Sequence, residues 1–225
     1  MIEDMEWFGL HWDEGPDRRG DSGPYLQSQR MLLYRSAFER LRQQGHIYPC
    51  SCSRQDVLRA ASAPHAADED EPLYSGTCRP PFGAIFPTTL SGVHWRFRVE
   101  GGGTVSFLDS GAGPQSAVAG ADFGDFVVWR KDDLPSYQLA CVVDDSAMGI
   151  TEVVRGADLI RSSFRQILLY RALQLTAPSF HHCPLVLDEN GVRLAKRHDA
   201  LSLRKLRESG LTPGQLRQDW PTVDR

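Results

Sequence analysis

Cys50-Ser51-Cys52 is followed by Tyr74-Ser75-Gly76-Thr77-Cys78. A Cys-x-Cys in an extended segment puts two sulfurs within reach of one ion, and a third cysteine behind a tight glycine turn can close the site. Three thiolates suit Zn2+, a borderline-soft cation that prefers tetrahedral N/S ligation. The residues leave the fourth position open among Tyr74, His65 and water. Histidine is the usual choice, and a phenolate requires the metal to lower an ordinary pKa of about 10. The competing reading is a set of buried free thiols, which are common in cores. Cys141 and Cys183 sit among apolar residues and read as core.

A second group is Arg193-Leu194-Ala195-Lys196-Arg197, just after Asn190-Gly191. It could hold a phosphate, with Lys196 as a point charge and the arginines as forks. A solvated basic loop is the competing reading. The third group runs from Tyr137 to Arg155. There an apolar element ends in Asp144-Asp145, turns at Gly149 and returns as a strand ending in Arg155-Gly156. Ligands bind at strand ends in α/β sheets. Arg155 could pair with a substrate carboxylate and Tyr137 with an amine or carboxylate oxygen. The alternatives are an ion pair from Arg155 to Asp144, Asp145 or Asp158, and a half-buried core phenol for Tyr137.

The elements that position these groups follow from periodicity. Ile2, Met5 and Phe8 have helical spacing and Gly9 a helix-ending place. Met31, Tyr34, Phe38 and Leu41 line one stripe of a helix starting near Ser28 and stopped by Gly45. Ser53 caps a short helix through Ala61. Residues 62–72 form an acidic linker. Val93–Val99 alternates as a half-buried strand, and Gly101–Gly103 turns it into a hairpin with Thr104–Leu108. Phe126–Trp129 and Thr151–Arg155 are strands, and about Leu159–Gln174 is a helix. Asn190-Gly191 signals a hairpin turn, and Ala200–Glu208 a basic helix ending at Gly210. The mixture is α/β with an antiparallel β-rich insertion.

Composition removes whole classes. In 225 residues the longest apolar run is Leu139–Val143, far short of the roughly 18–20 residues of a membrane span. The opening Met1-Ile2-Glu3-Asp4 is acidic where a secretory signal is basic. Five cysteines, an odd number in a chain too long to need disulfide staples, point to a reducing cytoplasm. The formal charge is -4, but residues 1–150 hold 13 basic and 21 acidic side chains and residues 151–225 hold 12 and 8. The C-terminal part, at +4, has the sign that would face a polyanion such as RNA.

Taken together and in order, Gly9-Leu10-His11-Trp12-Asp13, Tyr25–Arg30, Tyr137–Asp145 with Gly149-Ile150-Thr151, Arg155–Leu159 and Arg193–Arg197 resemble the class I glutamyl-tRNA synthetase family. The resemblance covers about residues 1–210, and Tyr137–Leu159 is its most specific part. Within the family, Cys50, Cys52, Tyr74 and Cys78 look like the zinc site of the short paralogues. These attach glutamate to the queuosine base in the anticodon of tRNA(Asp) and lack an anticodon-binding domain. The resemblance implies one structural Zn2+ held by those four residues, and glutamate held by Tyr137 and Arg155. It also places Lys196 and Arg193, in a degenerate KMSKS loop, on ATP with Mg2+. It implies a cytoplasmic monomer whose partners are L-glutamate, ATP and the anticodon region of tRNA(Asp), with no membrane.

The expected layout has three parts. Residues 1–45 are a remnant of the N-terminal Rossmann half. Residues 46–125 form the zinc segment and β-rich insertion, and 126–225 the C-terminal Rossmann half with a terminal helix. Two departures from the family pattern stand out. Arg193 and Ala195 replace a lysine and a serine of the loop, and the HIGH-type phosphate motif is absent. The absence corresponds to a missing N-terminal piece of about 60 residues. The expectation is therefore a chain of little activity as it stands. A fragment of an ordinary glutamyl-tRNA synthetase and a non-catalytic zinc-containing tRNA-binding remnant are the alternatives.

Overall fold

The computed structural model describes residues 2–61, 73–81, 83–84, 86–87, 92–185 and 202–218. The acidic linker, His65, Asn190-Gly191 and the Arg193–Arg197 loop lie outside the described residues. The chain forms two units, one of residues 24–184 and one of residues 1–23 with 185–225.

The larger unit carries two sheets. In the first, β1 (Ile47–Cys50), β2 (His94–Phe97) and β5 (Phe126–Trp129) lie in that order, all antiparallel. Pro49 is tolerated because β1 is an edge strand and one missing donor there breaks no ladder. The second sheet has the order β4-β3-β7-β6, with β3 (Thr104–Asp109), β4 (Gly113–Val118), β6 (Glu152–Gly156) and β7 (Ser179–Cys183). Here β3 pairs β4 antiparallel, while β3, β7 and β6 run parallel.

The hairpin expected between Val93–Val99 and Thr104–Leu108 does not form. Both edges of β2 are already taken by β1 and β5, and the N–H of Val99 is captured by the Asp125 carboxylate at 2.8 Å. The hairpin forms one strand later, because Asp109 accepts the N–H groups of Gly111 and Ala112 at 2.9 and 2.7 Å. That local capture is how Asp seeds a turn.

Helices pack over these sheets. The stripe of α2 (Met31–Gln43) buries Tyr34, Ala37, Phe38 and Leu41. Phe38 meets Trp95 edge-on and Trp129 at a tilt, each at 5.1 Å between ring centres. Gly45, at φ 73°, ends this helix in a conformation that costs glycine little. The apolar run Leu139–Val143 lies inside α4 (Tyr137–Ala147), which Ser136 caps by accepting the Leu139 N–H at 3.4 Å. A second helix, α5 (Ile160–Ala172), places Phe164 against Phe107 and Phe123. The short helix α3 (Arg54–Ala61) starts with a reciprocal cap. Ser53 Oγ accepts the Asp56 N–H at 3.2 Å, and Asp56 accepts the Ser53 N–H at 2.7 Å.

In the smaller unit, α1 (Ile2–Phe8) ends at Gly9, which has φ 82°. Asp4 lies 3.9 Å from Arg204 and 3.5 Å from Arg207 on α6 (Leu203–Glu208), and Arg217 on α7 (Pro213–Gln218) stacks over Phe8. The basic helix therefore starts at Leu203, with Ser202 as its cap.

One buried ion pair ties α2 to α4. Arg30, 3% exposed, donates from Nε to Asp144 at 2.6 Å, and Tyr34 and Gln27 donate to the same carboxylate at 2.8 and 3.1 Å. Burial first, and then Asp144, raises the Tyr34 phenol far above its ordinary value, so it stays a donor. Removing the acceptor strands a buried guanidinium. Asp144→Ala is expected to cost about 3–5 kcal/mol and to lower the thermal midpoint by roughly 10 °C; calorimetric melting of the two proteins checks it.

Candidate functional site

The structure brings Cys50, Cys52, Tyr74 and Cys78 together. Cys50 ends β1, Cys52 precedes α3, and the other two flank a turn at Gly76, whose φ is 79°. The three sulfurs lie within 4.8 Å of one another, and Cys52 and Cys78 are 3.5 Å apart. The Tyr74 hydroxyl is 3.3 Å from Cys50 Sγ and 3.5 Å from Cys52 Sγ. A tetrahedral ion with bonds of about 2.3 Å would hold its sulfurs about 3.8 Å apart, so the donor set fits a soft or borderline cation.

Three further contacts bring N–H donors or positive charge to this cluster, while burial first, and then the three cysteines, push the Tyr74 phenol far above its ordinary value. The Cys78 N–H donates to the Tyr74 oxygen at 2.8 Å, and the Arg96 guanidinium stacks 4.0 Å from the Tyr74 ring while its Nε–H donates to Cys50 Sγ at 3.2 Å. Arg96 is 7% exposed. It follows an irregularity in the β2–β5 register, where Trp95 opposes Trp129 but Arg96 opposes Val127. Such a bulge re-aims a side chain. Burial pushes the Cys78 thiol up, but hydrogen bonds from Tyr74, from Ser51 and from Cys52 outweigh it and bring it down to about 6. His65, the other sequence candidate, lies outside the described residues.

The second cluster is built across three parallel strands. Arg155 on β6 is the register partner of His182 on β7, and β7 pairs β3 at Asp109. Asp109 accepts the His182 N–H at 3.0 Å and its Nδ1–H at 2.5 Å, with both side chains fully buried. Arg155 has only donors, so its Nε–H, 3.1 Å from His182 Nε2, leaves the imidazole proton on Nδ1. The Arg155 Nη2 donates to Ser163 at 2.7 Å and to Gln166 at 2.8 Å, and Nη1 reaches the Tyr137 hydroxyl at 3.4 Å. Tyr137 opens α4 and is 51% exposed. Burial first, and then Cys141, raises its phenol, against the opposing pull of Arg155.

Arg155 is thus gripped by neutral groups. Of the expected alternatives, Asp144 is taken by Arg30, while Asp145 accepts from the Tyr170 hydroxyl at 3.2 Å and feels the Arg155 charge without a direct ion pair to it among those described. A guanidinium positioned this way beside a half-exposed phenol can receive a carboxylate. Arg193 and Lys196 lie outside the described residues. Sequence reasoning missed Asp109, His182, Ser163 and Gln166. The available signals were Asp109-Ser-Gly-Ala, an Asp-led turn, and the His181-His182 pair in a strand. Cys141 and Cys183 are half-buried rather than fully core, and burial pushes the Cys141 thiol up to about 11.

Two sheets with packed helices, an arginine at a parallel strand end and a three-cysteine cluster make this a mixed α/β domain. The family model for tRNA synthetases class I (E and Q), catalytic domain, matches residues 1–218; the chain belongs to that family. It is 48% identical over 223 residues to the glutamyl-Q tRNA(Asp) synthetase of Symbiobacterium thermophilum, with 94% of this chain and 66% of that protein covered. It is 43% identical over 213 residues to the protein of the same name from Nitratidesulfovibrio vulgaris, with 94% and 65% covered. The crystal structure of a glutamate-tRNA synthetase from Elizabethkingia anophelis superposes with a TM-score of 0.71 at 25% identity, over 87% of this chain and 41% of that one. The chain therefore spans just under two thirds of the length of the two curated relatives. No described helix is long and apolar enough to cross a membrane.

The Asp109 carboxyl carries a pH signature. Burial raises its pKa, but the His182 N–H, the His182 side chain and the N–H groups of Ala112 and Gly111 outweigh this and hold it far below the usual carboxylate range. A depressed folded value stabilises the fold fully above the unfolded value of about 3.9. The stabilisation is lost as pH falls from there towards the folded value. Unfolding free energy from urea titrations is expected to drop between about pH 4 and pH 2. In Asp109→Asn, the wild-type advantage over the variant should shrink across the same interval.

Proposed function

We propose that this chain supplies the glutamate-handling part of an ATP-dependent ligase that activates L-glutamate and transfers it to the queuosine base of tRNA(Asp). The observation that carries this is Arg155. Its hydrogen bonds go to His182, Ser163, Gln166 and Tyr137, none of them a carboxylate, so its guanidinium makes no direct carboxylate hydrogen bond among those described and can accept an incoming one. The 48% identity to a glutamyl-Q tRNA(Asp) synthetase points to the acceptor. In this reading the glutamate α-carboxylate oxygen attacks the α-phosphorus of ATP, the bond to the β-phosphate oxygen breaks, and pyrophosphate leaves. A queuosine hydroxyl then attacks the acyl carbon, its proton is lost, and AMP leaves. Lys196 and Arg193 would oppose the charge developing on the phosphates, with Mg2+ sharing it. Tyr137 and Arg155 hold and orient the amino acid.

The resemblance to a glutamate-tRNA synthetase fold sustains one second reading, charging of tRNA(Glu) at its 3′ end. Transfer of labelled glutamate separates the two: label on the queuosine of tRNA(Asp) supports the first, and label on the 3′ end of tRNA(Glu) the second. Arg155→Lys loses the fork and is expected to weaken glutamate binding, followed by calorimetric titration, at least tenfold, a loss of about 1.4 kcal/mol or more.

The layout proposed from the sequence makes this sheet part of a Rossmann half, and the outer edge of β6 bears on it. No described strand pairs with that edge, and Val154 there is 64% exposed. A parallel sheet normally buries such a strand. We expect little glutamate-dependent ATP–pyrophosphate exchange from these 225 residues and robust exchange from a chain extended upstream through a HIGH-type motif. Robust exchange by the 225-residue chain refutes that expectation.

For the knuckle we propose one Zn2+ held by Cys50, Cys52, Tyr74 and Cys78. Four protein donors leave no open position, so the ion would cross-link the segments around residues 50–52 and 74–78. The protein is proposed to act as a cytoplasmic monomer. Elemental analysis should find about one zinc per chain. Cys78→Ser should lose it, Tyr74→Phe should hold it more weakly, and a chelator should lower the thermal midpoint of the wild type but not of Cys78→Ser. Freshly prepared protein without metal contradicts the assignment.

A further inference from the structure

A guanidinium carries its N–H donors in a fixed fork, and the protein takes most of those on Arg155. The Nε–H goes to His182 Nε2 at 3.1 Å, and Nη2 donates to Ser163 Oγ at 2.7 Å and to Gln166 Oε1 at 2.8 Å. The flat face of the group lies over the Phe180 ring, 5.3 Å from its centre. Nη1 remains, 3.4 Å from the half-exposed Tyr137 hydroxyl. An incoming carboxylate therefore meets donors of set direction, the Nη1–H and the Tyr137 O–H.

That direction rests on Nε, and Nε rests on the position of one proton. His182 is 1% exposed, and its ring packs against Phe107 and Phe180. Its Nδ1 faces Asp109 Oδ2 at 2.5 Å. The other oxygen, Oδ1, accepts the main-chain N–H groups of Gly111, Ala112 and His182 at 2.9, 2.7 and 3.0 Å. This division fixes what Asp109→Asn must do. The amide oxygen has to take the Oδ1 place, because an NH2 group there would meet three donors. The NH2 then faces His182 Nδ1 and requires that nitrogen to be bare. The ring proton moves to Nε2, where it opposes the Arg155 Nε–H, donor against donor. A carboxylate that orients an imidazole sets its tautomer in this way.

We propose that Asp109 and His182 are positioning residues for substrate recognition. They keep the imidazole proton on Nδ1, so that Nε2 holds Arg155 with its Nη1 turned to the carboxylate of the amino-acid substrate. Neither residue needs to touch the amino acid. The proposal rests on the reading of Arg155 as the residue that receives glutamate. The test uses the full chain with 15N-labelled histidine, and glutamate affinity is read by calorimetric titration. Ring-nitrogen shifts should place the His182 proton on Nδ1 in the wild type and on Nε2 in Asp109→Asn, whose glutamate affinity should fall about tenfold. Two replacements of the ring separate positioning from a purely structural role. In His182→Gln the amide oxygen can stand where Nε2 stands and still accept from Arg155, so affinity should stay within about threefold of the wild type. In His182→Asn the shorter amide reaches Asp109 but not Arg155, and affinity should fall about tenfold. Adding Asp109→Asn to Arg155→Lys should cost no further affinity, because the guanidinium it aims is gone.

A His182 proton that stays on Nδ1 in Asp109→Asn overturns the proposal. So do equal losses of affinity in His182→Gln and His182→Asn, which a structural role alone would give. If Asp109→Asn does not fold, the two His182 variants decide by themselves. Failure here is distinct from failure of the ligase reading. Glutamate bound by the wild type with an affinity indifferent to Asp109 and His182 removes the positioning role alone. A wild type that binds no glutamate, while the tautomer still switches in Asp109→Asn, removes the glutamate role of Arg155 and leaves the hydrogen-bonded relay standing.

Discussion

Asp109 keeps its charge in a place with no water to solvate it. It does so because three main-chain N–H groups and the His182 imidazole all point at its two oxygens. An ionised carboxylate buried without such donors would neutralise instead. Once its charge is held, the rest of the cluster follows by elimination of alternatives. His182 must carry its proton on the Asp109 side, so its other nitrogen can only accept. Arg155 can only donate, so its Nε–H points there, and the remaining guanidinium edge turns towards Ser163, Gln166 and Tyr137. The same turn that gathers N–H groups onto Asp109 starts the β3–β4 hairpin. One carboxylate thus sets both the sheet topology and the aim of the arginine. Gly111 sits so near the His182 carbonyl that a Cβ there would lie 2.5 Å from it, which reserves that position for glycine.

A comparable logic governs the first sheet, with Arg96 at its centre. The residue is buried between the Cys50 sulfur and the Tyr74 ring, and a fully buried cation needs an anionic neighbourhood. Three thiolates and a phenolate around a divalent cation would carry net negative charge, so Arg96 and the knuckle compensate each other. The register slip between Trp95 and Arg96 lets one strand serve both purposes. Trp95 enters the aromatic core with Phe38, while Arg96 turns to the sulfurs.

Several elements were readable because their causes are local. The stripe of α2, its glycine stop, the Ser53 cap and strands β2, β5 and β6 all depend on periodicity or on contacts within a few residues. The three knuckle cysteines were readable for a similar reason, since few arrangements of Cys-x-Cys and a later cysteine make sense apart; Tyr74 beside them came from the family resemblance and not from spacing. The hairpin between Val93–Val99 and Thr104–Leu108 misled because a glycine run marks a turn without saying which strands it joins. That choice belonged to Asp109 and to strands β1 and β5, which are distant in sequence. The apolar run Leu139–Val143 was too short for its period to declare a helix, and Ser136 with the burial of Leu139 and Val142 decided it.

By itself the sequence determined which residue types were available and where: a thiolate set with a tyrosine, an arginine closing a strand, a basic stretch near the C-terminal end, and helices with one apolar face. Those are properties of spacing and side-chain chemistry. Tertiary structure alone decided that Asp109, Arg155 and His182 form one relay and that Asp144 belongs to Arg30. The reason is physical: each of these pairings joins segments tens of residues apart, and it exists only because parallel strand register and helix packing exclude water and bring the partners together. No local pattern records which buried donor will meet which buried acceptor.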